Sequence, residues 1–130
     1  MKQLILMALV CFSLVGAQQV YGFIRGDIDF AEPADSFILY LTNDEITTLE
    51  ESSSAGFLYA VSMENGHYEK PGIVVDAVSQ THFTYLLNRV PPGTYKVNIR
   101  LGVSSIKGGS SMEVEVKPFA TVTSNIVVWK

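Results

Sequence analysis

Residues 82–101, His-Phe-Thr-Tyr-Leu-Leu-Asn-Arg-Val-Pro-Pro-Gly-Thr-Tyr-Lys-Val-Asn-Ile-Arg-Leu, constrain the fold more than any other stretch of this chain. Phe83, Tyr85 and Leu87 recur at every second position, and so do Tyr95, Val97, Ile99 and Leu101 beyond an interruption. A period of two gathers each set on one face of an extended strand, so both runs read as strands with one buried face. The interruption is Pro91-Pro92-Gly93-Thr94. Proline fixes φ near the value of the second turn position, and glycine accepts the positive φ of the third. Pro91, Pro92 and Gly93 therefore predict a type II turn at the tip of a central hairpin.

The same period runs through the flanks. In Val20–Phe30, Ile24, Gly26, Ile28 and Phe30 fall on one side and Arg25, Asp27 and Asp29 on the other, which describes a half-buried strand. Gly26 inside that strand marks a bulge or a close backbone approach. Ala31–Asp35, with Pro33, is a turn. Phe37-Ile38-Leu39-Tyr40-Leu41 is continuously apolar, as in a central strand covered on both faces. Asn43–Gly56 is the least regular part. Thr42 and Glu45 have capping-box spacing and Ile46 and Leu49 share a helical face, predicting one or two helical turns before a Ser52–Gly56 loop. That loop reads equally as a contact site and as a solvated connection. Further strands are expected at Phe57–Met63, Ile73–Val78, Met112–Val116 and Val122–Trp129, separated by turns at Asn65-Gly66, Lys70-Pro71-Gly72 and Lys107–Ser110. Short strands at this spacing predict an all-β chain: a single antiparallel Greek-key β-sandwich of about seven strands.

The 130 residues suffice for one domain. Lys2 precedes an apolar run, Leu4–Val15, too short to span a bilayer, and the small residues Gly16-Ala17 follow. This is the pattern of a secretory signal peptide over residues 1–17, which leaves residues 18–130 as the domain and places it in the periplasm or outside the cell. Cys11, the single cysteine, lies in that apolar run behind Val10, where a lipoprotein site needs a small residue. The mature chain then has no thiol and no disulfide, and no later apolar run long enough for a transmembrane segment. The net charge of −4 argues against nucleic acid as a partner. Ten acidic residues and no Lys or Arg lie between Arg25 and Lys70, while most basic residues follow Arg89. Opposite charges on neighbouring strands are the expected arrangement, with a dedicated acidic face as the alternative.

The run Tyr85-x-Leu87-x-x-Val90-Pro91-Pro92-Gly93-Thr94-Tyr95-x-Val97 resembles the carboxypeptidase regulatory-like domains, which belong with the transthyretin-like (prealbumin-like) and Cna B-type sandwiches. Ile24-x-Gly26-x-Ile28 is similar to that family's opening strand, and Val114–Pro118 with Thr121–Val128 to its last two. The chain departs from the pattern where Ser79–His82 replaces a Gly-containing turn, where Phe119 stands at a frequent glycine, and in the length of Asn43–Gly56.

The resemblance prompts three tests for chemistry. Transthyretin-like hydrolases that open hydroxyisourate carry a C-terminal Tyr-Arg-Gly-Ser, where this chain has Val127-Val128-Trp129-Lys130. Cna B-type isopeptide bonds need a lysine in the opening strand, where this chain has Arg25, and a guanidinium does not replace a nucleophilic amine. His67 and His82, the only histidines, read as surface residues, and no serine sits in a nucleophile elbow. Asp27, Asp29, Glu32 and Asp35 are the candidates for calcium, set against the reading of a solvated acidic face. The expectation is an exported, non-catalytic module without cofactor or metal, meeting a protein partner through edge strands and the Asn43–Gly56 segment. The alternative is a carbohydrate-binding module, with Tyr68 and Trp129 as ligand contacts beside Tyr40 and Tyr59.

Overall fold

The structure, a computed structural model, describes residues 20–101 and 108–128. The expected signal peptide, Cys11 and Trp129 lie outside the described residues. Among the described residues, eleven strand segments form two sheets: β1 (Gly22–Phe30), β2 (Ser36–Thr42), β3 (Leu58–Ser62), β4 (His67–Lys70), β5 (Ile73–Ala77), β6 (His82–Val90), β7 (Gly93–Arg100), β8 (Gly108–Ser110), β9 (Val114–Val116), β10 (Thr121–Thr123) and β11 (Ile126–Val128). Sheet A has the order β10-β1-β6-β5-β4, with β11 also on β1; sheet B has the order β3-β2-β7-β8, with β9 also on β7.

The alternation expected from the sequence is what closes the core. Ile24, Ile28 and Phe30 from β1, Phe83, Tyr85 and Leu87 from β6, and Tyr95, Val97 and Ile99 from β7 are all buried in one cluster. Phe30, Phe37 and Phe83 pack edge to face or tilted at centroid distances of 5.2–5.8 Å, the arrangement the ring quadrupole favours.

Several expectations are corrected. β6 and β7 do not form a hairpin: β6 pairs with β1 and β5, β7 with β2, β8 and β9, so Pro91-Pro92 carries the chain from one sheet to the other. Alternation requires only that both strands bury one face, and facing sheets satisfy it as well as paired strands do. Nor is Gly93 the third residue of a type II turn. It opens β7 opposite Val116 with φ +158°, far from the roughly +80° that turn needs. The Tyr95 hydroxyl donates to Pro91 O at 2.8 Å and clamps the crossing.

The sandwich is not wholly antiparallel. β10 and β11 both run parallel to β1, because the chain crosses from β9 in sheet B at Pro118-Phe119 and returns in the direction of β1. The turn expected at Lys107–Ser110 is replaced over Gly108–Ser110 by strand β8. A Cβ on Gly109 would lie 2.3 Å from Val127 O, so glycine is what lets β8 and β11 seal this side. β2 is not covered on both faces: Phe37, Leu39 and Leu41 are buried while Ile38 and Tyr40 are half-buried.

The helical turns begin later than Thr42. Asn43 Oδ1 accepts from the amides of Glu45 and Ile46, forming an Asx turn at the spot where a helix would start. The same Thr-x-x-Glu signature recurs six residues on. There Thr48 caps helix α1 (Leu49–Ser54), accepting from Glu51 N, while Glu51 Oε1 accepts from Thr48 N. The expected loop is therefore largely helix, and Ser52 is buried with its hydroxyl donating to Phe57 O.

Candidate functional site

The outer face of sheet A carries the candidate site. On β1 the residues opposite in parity to the core are Phe23, Arg25, Asp27 and Asp29; on β6 they are His82, Thr84 and Leu86; on β5, Val74 and Asp76; on β4, His67 and Glu69. Strand register turns this pattern into rows. Asp27 lies opposite Thr84, Thr84 opposite Asp76, and Asp76 opposite His67. In the next row Thr123, Arg25, Leu86, Val74 and Glu69 follow one another across five strands. Phe23 is opposite Thr121. Apart from Asp29, His82, His67 and Glu69, these side chains line a groove of about 830 Å³ bounded by β10, β1, β6 and β5.

Gly26 shapes one wall from beneath. It belongs to the inward parity, and a Cβ there would lie 1.8 Å from Ser124 O. The bend between β10 and β11 thus tucks under β1. The buried Tyr85 hydroxyl donates to Ser124 O at 2.6 Å, and Asn125 Oδ1 accepts from Asp27 N at 2.9 Å. These bonds fix Thr121 and Thr123 beside Phe23 and Arg25. The sequence reading of Gly26 as a close backbone approach matches this contact.

Charge on the face is arranged around histidines. His82 Nε2 lies 3.0 Å from Asp27 Oδ1; His67 Nδ1 lies 2.5 Å from Asp76 Oδ1, and its Nε2 lies 3.2 Å from Glu69 Oε1. The bonds to Asp76 and then Glu69 hold the His67 pKa above its ordinary 6.5. Sequence patterning points to Lys or Arg pairing with the acidic half across the sheet. On this face the acidic half meets histidine: Asp27 is partnered by His82 and Glu69 by His67, while Lys117 pairs with Glu115 on its own segment. Among the described residues, the Arg25 guanidinium and the hydroxyls of Thr84, Thr121 and Thr123 have no protein partner. Tyr85 is pushed up to about 12, chiefly by burial, and stays a neutral donor.

The residues singled out from the sequence are dispersed. Pro91, Pro92 and Gly93 sit at the sheet crossing. Tyr68 is half-buried and packs on the core, and Tyr59 and Tyr40 are also half-buried. Of the calcium candidates, Asp27 faces the groove and is bonded to His82, Asp29 lies two residues further along β1, and Glu32 and Asp35 sit on the connection to β2. Among the described residues, no group of three or more His, Cys, Asp or Glu is arranged to hold a metal ion, so these four are not gathered into one site. Sequence reasoning misses Phe23, Thr84, Leu86, Val74 and Asp76. Their outward parity is visible in the sequence, but which strands are neighbours is not. No helix among the described residues is long and apolar enough to cross a membrane. Comparisons with family models, with curated proteins and with solved structures return no match.

Proposed function

We propose that this chain is an exported, non-catalytic binding module of the carboxypeptidase regulatory-like, transthyretin-like kind, acting at the cell envelope or outside the cell, with its contact surface on the outer face of sheet A. One observation carries the reading: a groove lined from four strands presents a guanidinium and three hydroxyls without protein partners above the apolar side chains of Phe23, Leu86 and Val74. Sites of this composition orient a ligand through a few polar groups and hold it on apolar surface. Binding rather than catalysis is favoured by the state of the titratable groups. Both ring nitrogens of His67 are engaged by carboxylates, Asp76 and Glu69, and Tyr85 is buried and committed to Ser124 O. The Asn43–Gly56 segment is the weaker contact surface, since its Asx turn and capped helix already use its polar groups.

The test places a charge in the middle of the face. Immobilised wild-type protein, Leu86→Lys, and Ala60→Lys on the exposed side of β3 are compared for capture of envelope or secreted material. Capture by wild type and Ala60→Lys, lost with Leu86→Lys at unchanged melting temperature, is the expected result. Equal capture by all three would move the contact surface away from sheet A.

A further inference from the structure

The geometry points to a neutral oligosaccharide as the ligand of the groove on sheet A, an inference that rests on the reading of that face as the contact surface. Four adjacent strands span about 14 Å at the usual strand spacing, room for several linked rings rather than one. The lining is amphipathic in a particular way. Phe23, Leu86 and Val74 offer C–H and ring surface, while Arg25 donates, Asp27 and Asp76 accept, and Thr84 does both. A sugar chain is the ligand with that same division, since its hydroxyls each donate and accept while its ring faces are apolar C–H surface that packs on aromatic and aliphatic side chains.

Charge narrows the class. Two carboxylates in the groove oppose phosphates, nucleic acid and acidic polysaccharides. A basic peptide is disfavoured from the other side, because Asp27 and Asp76 each already hold a histidine through Oδ1 and Arg25 stands in the next row. The Oδ2 atom of each carboxylate has no protein partner among the described residues, and Arg25 is free as well. Donors and acceptors are thus available in near balance, which suits an uncharged, polyhydroxylated ligand and leaves a strongly charged one poorly matched.

The experiment titrates ¹⁵N-labelled protein with neutral hexaoses of different linkage: cello-, xylo-, malto-, laminari- and chitohexaose. One linkage class is expected to give saturable amide shifts centred on Arg25, Thr84 and Thr123. Calorimetry with that glycan should show roughly tenfold weaker binding for Arg25→Ala, as for the loss of one charge-assisted hydrogen bond. It should show a smaller loss for Thr84→Val and no change for Ala60→Lys. Shift mapping on the wild-type protein keeps the test valid even where a variant folds poorly. The inference is overturned by absence of saturable shifts with every hexaose, by shifts confined to sheet B, or by saturable binding of heparin or a lysine-rich peptide to this face in place of the hexaoses. Should Leu86→Lys still abolish capture of a protein while no hexaose binds, the sugar inference fails and the binding-module reading stands.

Discussion

Phe119 is the residue whose backbone and side chain agree least. Its φ is +59°, in the left-handed region, and the ring is 78% exposed at the crossing from β9 to β10. A bulky L-residue there carries about 1–2 kcal/mol of strain, with little packing to offset it. Phe119→Gly removes the strain at the cost of a more flexible unfolded chain, so a net gain of about 0.5 kcal/mol is expected, read as a rise of a few degrees in melting temperature. An unchanged or lower value would mean that the ring packs on something. Gly26 gives the opposite case. Any Cβ there meets the Ser124 carbonyl, which is backbone and cannot swing aside. Gly26→Ala should cost about 3 kcal/mol or more in urea denaturation by forcing the β10–β11 bend off β1. Gly26 is legible in the sequence because a glycine inside a clean alternation gives up a buried side chain, which a strand does where another backbone comes close. Gly93 is less so, because Pro-Pro-Gly fits a hairpin turn and a sheet crossing alike.

The β4–β5 hairpin and the β10–β11 bend each carry a polar contact that can be tested alone. In the hairpin, Asp76 and Glu69 favour the protonated form of the exposed His67. Because the folded pKa is raised, this support is fully present below the unfolded value of about 6.5 and fades as pH rises through the folded one. An NMR titration should place the His67 midpoint above 6.5, and Asp76→Asn should bring it down toward the ordinary value; an equal midpoint in both proteins would rule out the pairing. At the bend, Tyr85→Phe leaves the buried Ser124 carbonyl without the Tyr85 donor and should cost about 1–2 kcal/mol. Ser124→Ala should cost nothing or stabilise slightly, since its buried hydroxyl has no partner among the described residues. Comparable losses for the two variants would show that the serine hydroxyl, too, is engaged. The sequence shows each strand's buried face but not its neighbours. That is why Phe83–Leu87 and Tyr95–Ile99 suggest a hairpin though they face each other across the core. It is also why the Thr-x-x-Glu spacing points to a cap one repeat early, where Asn43 diverts the backbone.

At the scale of the whole molecule, the two sheets hold together because the inward faces of β1, β2, β6 and β7 form one cluster and because β8, β9, β10 and β11 lace the two sheets along one side. This much follows from alternation, and the all-β sandwich is legible from it. The parallel course of β10 and β11 is not, since direction depends on the crossing at Pro118-Phe119, which no periodicity records. The outer face of sheet A is half legible: parity alone turns Arg25, Asp27 and Asp29 outward, but the groove exists only once β5, β6 and β10 take their places beside β1. If residues 1–17 are a signal peptide, intact-mass measurement of the secreted protein should give a chain beginning at Gln18. A single core shared by both sheets makes unfolding of that chain all-or-none. Native-state hydrogen exchange should then give the slowest amides of β2 in sheet B and β6 in sheet A the same opening free energy, and Tyr85→Phe should lower both equally although it touches only β6. A drop confined to sheet A would mean that the sheets open separately and that the lacing along β8–β11 does not couple them.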